Sequence, residues 1–228
     1  MKKTNSVLVI GGGIAGMQAS LDLASRGMKV YLVEKTPSIG GRMAQLDKTF
    51  PTMDCSICIL APKMMDTFRH PNITLLTYSE IMEVSGSVGD FTVKVLKKPR
   101  FVKSDKCTGC GVCAQHCPVE VPNEFDMNFG VRRAIYVPFL QAVPLVYTID
   151  EDNCLKCRLC SKVCLAGAID YDQKPELLTL NVGAIVITTG FDLFDVRKRT
   201  EYGYGKYRNV MTSLEFERME SASGPTGG

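Results

Sequence analysis

A chain of 228 residues, 45% of them apolar, is long enough to bury a core in one large domain or two small ones. The formal net charge is only +3, and apart from Lys97-Lys98-Pro99-Arg100 the basic residues are scattered, which argues against nucleic-acid binding. No run approaches the roughly 20 apolar residues of a membrane span, and 10 cysteines without an export signal point to metal or redox sites rather than a disulfide framework.

Met1-Lys2-Lys3 followed by Val7-Leu8-Val9-Ile10 has the outline of a signal peptide. The apolar run is short, however, and passes straight into Gly11-Gly12-Gly13 with no persuasive cleavage site. A cytoplasmic location is expected. Residues 6–10 read as a strand, residues 15–26 carry apolar positions at helical intervals before Gly27, and residues 29–33 read as the next strand. This βαβ unit ends at Glu34, 18 positions after Gly16. In the G-x-G-x-x-G of Gly11, Gly13 and Gly16, the glycines permit a tight turn and close backbone approach. The helix N-terminus, at Ile14 and Ala15, then faces a pyrophosphate, and Glu34, followed by Lys35, accepts from ribose hydroxyls.

Gly40-Gly41-Arg42 makes a second glycine turn. Residues 62–70 read as a short helix entered through Pro62 in its first turn, and residues 73–76 as a third strand. Residues 80–84 and 91–96 look like a strand pair around Gly86 and Gly89. The texture then changes to closely spaced cysteines and prolines before strands return at 177–180 and 184–187, ending in Thr188-Thr189-Gly190. The expected organisation is a parent α/β domain in two parts, 1–103 and 174–220, around an inserted module at 104–173. The ends of the insert must then lie close together. Residues 221–228, SASGPTGG, have the composition of a flexible linker.

Within the insert, Cys107, Cys110, Cys113 and Cys117-Pro118 form one run, and Cys154, Cys157, Cys160 and Cys164 repeat it. A tight C-x-x-C-x-x-C loop wraps three thiolates around one [4Fe–4S] cluster, and the fourth cysteine, leaving on a short helix, reaches the other. One cluster is therefore assigned to Cys107, Cys110, Cys113 and Cys164, and the second to Cys154, Cys157, Cys160 and Cys117. Zinc knuckles also use C-x-x-C, but zinc does not account for the duplicated third and fourth cysteines. The second run departs once, with Leu165 in place of the proline. Lys156, Arg158 and Lys162 either raise the potential of its cluster or form a solvated basic face.

The glycines alone leave FAD and NAD both open. Gly41 and Arg42 after the acidic strand end, with Thr189 and Gly190 closing a late strand, resemble the flavin domain of two-dinucleotide-domain oxidoreductases, which favours FAD. Arg42 then contacts the pyrophosphate or pairs with Asp47. Four stretches, EKTPSIGGRMAQLDKTFPTMDCSICILAPKM, DKCTGCGVCAQHCPVEVPNEFD, QAVPLVYTID and EYGYGKY, resemble the A subunit of heterodisulfide reductase. The resemblance implies a Rossmann-like, thioredoxin-reductase-like FAD domain with an inserted ferredoxin-like α+β domain holding two [4Fe–4S] clusters. It implies an electron-transfer subunit of a large anaerobic complex, in several of which a flavin bifurcates electron pairs. Ferredoxin and hydrogenase- or dehydrogenase-type donors are the partners it suggests.

Longer family members carry an N-terminal domain and, later, a second nucleotide-binding domain and a return of the FAD domain. The chain shows neither, so another polypeptide or a continuation is expected to complete the FAD domain. The alternative from a different class is a non-catalytic ferredoxin-like wire or assembly subunit without a functional flavin. No Ser/His/Asp or Cys/His catalytic set is present, and catalysis is expected to reside in the cofactors.

Cys55 and Cys58 remain, as a C-x-x-C in TMDCSICIL. A thioredoxin-like dithiol wants the motif to open a helix, which a helix starting at Pro62 would deny it. Structural cysteines beside Ile57, Ile59 and Leu60 are a second reading. The preferred reading is a third iron–sulfur cluster whose other ligands lie outside the chain.

Overall fold

The computed structural model describes residues 4–228; Met1, Lys2 and Lys3 of the opening segment lie outside the described residues. Strand β1 (Ser6–Ile10), helix α1 (Ile14–Ser25) and strand β2 (Lys29–Glu34) form the expected unit. Beyond β2, a 3-10 turn (Gly41–Gln45) and a short hairpin, β3 (Lys48–Thr49) and β4 (Asp54–Cys55), lead to α2 (Ser56–Arg69). Next come β5 (Ile73–Thr77), β6 (Ser79–Ser87) and β7 (Asp90–Lys97). After the insert the chain returns as β12 (Glu176–Val182) and β13 (Ala184–Ile187), and ends in α5 (Ser213–Glu220).

The parallel sheet has the order β13-β1-β2-β5, and an antiparallel sheet β12-β7-β6 covers one of its faces. Strand periodicity explains the layering, since successive side chains point to opposite faces. Val7 and Val9 join Val30, Leu32, Met17, Leu60 and Met64 in a core against α1 and α2. Leu8 and Val33 turn the other way and pack on Val93, Val95 and Val182. A parallel sheet covered on both faces needs the near-continuous apolar strands seen here.

The insert consists of α3 (Val112–Gln115), β8 (Glu120–Pro122), β9 (Val131–Arg133), β10 (Ile135–Tyr136), β11 (Thr148–Ile149) and α4 (Leu159–Val163). Its ends meet: Val102 and Ile169 form a β-bridge, and the Asp170 amide donates to the Phe101 carbonyl at 2.9 Å. Strands β7 and β12, on either side of the insert, pair directly from Lys97 with Glu176 onward, so the parent sheet closes beneath it.

Two expectations change. Helix α2 begins at Ser56 rather than Pro62, with Cys55 as its N-cap and Pro62 inside it. Proline removes one N–H from the ladder, and amphipathic packing through Leu60 and Met64, both fully buried, outweighs that loss. Residues 221–228, expected as a linker, turn back on α5: Ser221 is buried, and the Thr226 hydroxyl donates to the Met219 carbonyl.

Buried Arg100 clamps the insert to the parent domain. Its guanidinium donates to the Pro37 carbonyl and Thr77 Oγ1, each at 2.6 Å, and to Thr148 Oγ1 on β11 at 2.8 Å. Beside it the Val143 amide donates to Ser38 Oγ at 2.8 Å, and the Ile39 amide donates to the Val143 carbonyl at 3.0 Å. Burial pulls the Arg100 pKa down to about 10, which leaves it charged at neutral pH. Arg100→Ala should lower stability by at least about 2 kcal/mol, because three buried acceptors lose their donor. Arg100→Lys should recover only part of this, since an ammonium cannot reproduce the planar fork. Denaturant unfolding of both variants is the check.

Candidate functional site

The first glycine turn is held from both sides. Gly11, at φ +107°, lies so close to the end of β13 that a Cβ there would stand 2.3 Å from the Thr188 carbonyl oxygen. The Thr188 hydroxyl donates to the Ile10 and Gly11 carbonyls at 2.9 and 3.0 Å. A Cβ on Gly16 would meet the Gly11 carbonyl oxygen at 1.9 Å, so helix and strand pack with no room for a side chain. Gly13 differs: a Cβ there would meet nothing within 4 Å, and its backbone is unstrained. It N-caps α1 without a side-chain partner, with Ile14 and Ala15 in the exposed first turn.

Gly41 comes up against this open space, its Cβ position 3.0 Å from Gly13 Cα. Thr189 and Gly190 follow Thr188 and are exposed. Uncapped first-turn amides, glycines on two facing turns and no acidic residue in the first turn of α1 form the cradle that a dinucleotide pyrophosphate requires. The residues fit FAD. Thr188, which latches β13 to the turn, is a functional residue that sequence reasoning misses; its place directly before Thr189 and Gly190 is the signal that could have found it.

Glu34 has a role beyond the one expected of it. Its buried carboxylate accepts from the Gly12 amide at 2.7 Å through Oε2, and from the Thr36 amide and hydroxyl at 2.8 Å through Oε1. Three donors on roughly four acceptor positions leave Oε2 one lone pair for a ribose hydroxyl. Lys35 is exposed beside it. Arg42 makes no pair with Asp47. It donates to Gln45 Oε1 at 2.9 Å within its own 3-10 turn, while Asp47 sits 3.5 Å from Lys48.

In the insert, Cys113 and Cys160 are buried on the short helices α3 and α4, and Cys107, Cys117, Cys154 and Cys164 are partly buried around them. Cys110 and Cys157 are exposed. The two loops share a shape. The second and fourth positions after each first cysteine are left-handed: Gly109 and Gly111 at φ +69° and +82°, Lys156 and Arg158 at +53° and +62°. Cys117, from the first run, lines one cavity with Cys154, Cys157 and Cys160 of the second. The structure thus brings together the crossed ligand set expected of one cluster.

Among the described residues no three His, Cys, Asp or Glu side chains lie close enough to chelate a single ion. Tetrahedral zinc, with Zn–S of about 2.3 Å, would draw the thiols inward, whereas a cube of four irons is gripped from its corners. The donor set lining the cavity, four thiols from two loops, is the one a [4Fe–4S] cluster takes. Burial pushes the Cys113 thiol up to about 12, and the Ala114 amide only partly opposes this. Iron binding must therefore displace that proton. Exposed Cys110 shifts the other way, held down by the Val112 amide and the Thr108 hydroxyl.

Cys55 and Cys58 are joined as a disulfide, the other eight cysteines being free. The motif opens α2, and the Cys58 amide donates to Cys55 Sγ at 3.3 Å. The late-helix objection to a dithiol therefore falls. Cys58 is exposed, with exposed Phe50 and Met53 just ahead of the pair.

A family profile described as FAD dependent oxidoreductase matches residues 6–70, and one described as 4Fe-4S binding domain matches residues 101–123. Fold, cradle and cysteine runs define a Rossmann-like FAD domain with a ferredoxin-like insertion, the class of flavin and iron–sulfur oxidoreductases. A Methanopyrus kandleri protein, the second of two there named as the iron-sulfur A subunit of CoB–CoM heterodisulfide reductase, is 64% identical over 225 residues, 99% of this chain and 34% of that protein. The Methanocaldococcus jannaschii protein named as the same A subunit is 62% identical over 223 residues, 98% of this chain and 34% of that one. Over nearly its whole length the chain is similar to these heterodisulfide reductase A subunits, and it spans about a third of their length. Among solved structures, L-proline dehydrogenase from P. horikoshii aligns over 40% of this chain and 18% of its own, at 25% identity and a TM-score of 0.36. No described helix is long and apolar enough to cross a membrane.

Two glycines separate ligand binding from folding. Gly13→Ala should leave stability within about 0.5 kcal/mol while lowering flavin retained per chain at least tenfold, since the added methyl fills the open cradle. Gly16→Ala should cost about 1–3 kcal/mol through backbone overlap. Flavin release and thermal unfolding measured side by side check both.

Proposed function

We propose that this chain is the flavin and iron–sulfur electron-transfer part of a heterodisulfide-reductase-like complex, active with partner subunits. The convergence of Cys117 with Cys154, Cys157 and Cys160 on one cavity carries this reading. When bound, FAD exchanges electrons singly or in pairs and the clusters exchange them one at a time. The first-turn amides of α1 hold the pyrophosphate, Glu34 orients the ribose through its free lone pair, and Arg42 adds positive charge nearby. Cys107, Cys110, Cys113 and Cys164 hold one cluster and Cys154, Cys157, Cys160 and Cys117 the other. No side chain is assigned as acid or base.

A partner or a continuation of the chain completes the pocket at the flavin ring, and ferredoxin or a hydrogenase-type subunit supplies or removes electrons. The cytoplasm is the proposed location. Cys55 and Cys58, once reduced, hold a third iron–sulfur cluster with ligands from that partner; the exposed position of Cys58, with exposed Phe50 and Met53 just ahead of the pair, supports it. The disulfide at the head of α2 favours a competing reading, a redox-active dithiol.

Anaerobic purification should give stoichiometric FAD and about eight irons per chain. Clusters without flavin would leave only the electron wire, and zinc without iron would overturn both. Cys58→Ser should leave the iron of the isolated chain unchanged and remove iron from the assembled complex alone. If complex and chain both keep their iron, the dithiol reading stands instead.

A further inference from the structure

The two cysteine runs share a loop shape but not their surroundings. Cys160 Sγ lies 3.0 Å from the Tyr171 hydroxyl, and Cys160 is buried, 7% exposed. As a cluster ligand the sulfur is a thiolate and only accepts, so the phenol must be the donor. The Arg158 guanidinium stands over the Tyr171 ring, 5.7 Å from its centroid, and its positive charge makes the hydroxyl a stronger donor. Tyr171 also lines the cavity formed by Cys117, Cys154, Cys157 and Cys160.

The first run has a hydroxyl too, from Thr108 to Cys110, but that sulfur is fully exposed and water competes for it. Backbone amides reach both ligand sets: Val112 to Cys110, Ala114 to Cys113 and Ala168 to Cys164 at 3.3 Å in the first, and Ser161 to Cys160 and Lys156 to Cys154 at 3.4 Å in the second. The Tyr171–Cys160 hydrogen bond is thus the one side-chain hydrogen bond to a buried ligand sulfur among the described residues.

We propose that Tyr171 is a positioning residue that sets the two clusters apart in potential, raising that of the cluster held by Cys154, Cys157, Cys160 and Cys117. This deepens the two-cluster reading and rests on it. Donation to a ligand sulfur stabilises the reduced cluster, which carries one more negative charge. The hydrogen bond therefore shifts an electron shared between the two clusters toward the second. One cluster is oxidised as the other is reduced, and no proton moves.

Tyr171→Phe removes a single oxygen and keeps the ring. In the anaerobically purified chain, an EPR-monitored redox titration should show one midpoint falling and the other unchanged, with iron content and thermal unfolding as in the parent. Replacing Tyr171 by 3-fluorotyrosine, a more acidic donor, should raise that same midpoint, so the test survives if the phenylalanine variant loses a cluster. Midpoints that stay put in both variants, or two that move together, would overturn the proposal. If the parent chain itself binds no iron, the two-cluster reading fails first, and that result is distinct from two intact clusters whose potentials ignore Tyr171.

Discussion

Arg100 is the constraint on which the arrangement of the two cofactor sites depends. It follows β7, where the chain leaves the parent sheet, and its fork reaches back to Pro37 and Thr77 and forward to Thr148. Pro37 lies between Glu34, which shapes the nucleotide turn, and Gly41, which faces it. Thr148 lies on β11, six residues before Cys154 and the second cysteine loop. One buried cation thus fixes the cradle relative to the cysteine loops. A charge surrounded by neutral acceptors is costly to desolvate, and it persists where every acceptor is well placed. Electron exchange between bound cofactors needs a fixed separation, and rigid supporting contacts supply it.

The same economy of contacts explains how an insertion leaves the parent fold intact. Strands β7 and β12 are direct neighbours with Lys97 opposite Glu176, so the insert leaves and re-enters at one edge of a closed ladder. Closing a longer loop there adds little entropy cost, because that cost grows only with the logarithm of length. Strand β13 then runs parallel to β1 and brings Thr188 onto the Gly11 turn, 177 residues away in sequence. The dinucleotide cradle is therefore built only when the chain after the insert has returned.

Much of this was legible because the relevant signals are local and periodic. The β1-α1-β2 unit, the β6–β7 pair and the late strands β12 and β13 carry alternating or continuous apolar runs bounded by glycine turns. The start of α2 was not legible, because Pro62 reads locally as a first-turn residue while burial of Leu60 and Met64 is a tertiary matter. Strands β3 and β4 have two residues each, too few for any period to register. The side-chain partners were likewise hidden. Arg42 could be placed at the second glycine turn, but its choice of Gln45 over Asp47 depends on the 3-10 geometry of Gly41–Gln45. Tyr171 reaches Cys160 only because the chain doubles back after Cys164.

The two cysteine loops show what the cluster demands of the backbone. Left-handed conformation recurs two and four residues after Cys107 and again after Cys154, so it belongs to the way three thiolates converge rather than to either sequence. Glycine adopts it freely at positions 109 and 111, whereas Lys156 and Arg158 adopt it at a cost of roughly 1–2 kcal/mol each. The local hydrogen bonds do not offset that cost: the Lys156 amide has a single 3.4 Å contact, to the Cys154 sulfur. Metal binding is the term large enough, since in small metal domains binding energy is folding energy. The strained positions also serve the site, because they place the Arg158 guanidinium over Tyr171 and so couple the shape of the second loop to the electrostatics at Cys160.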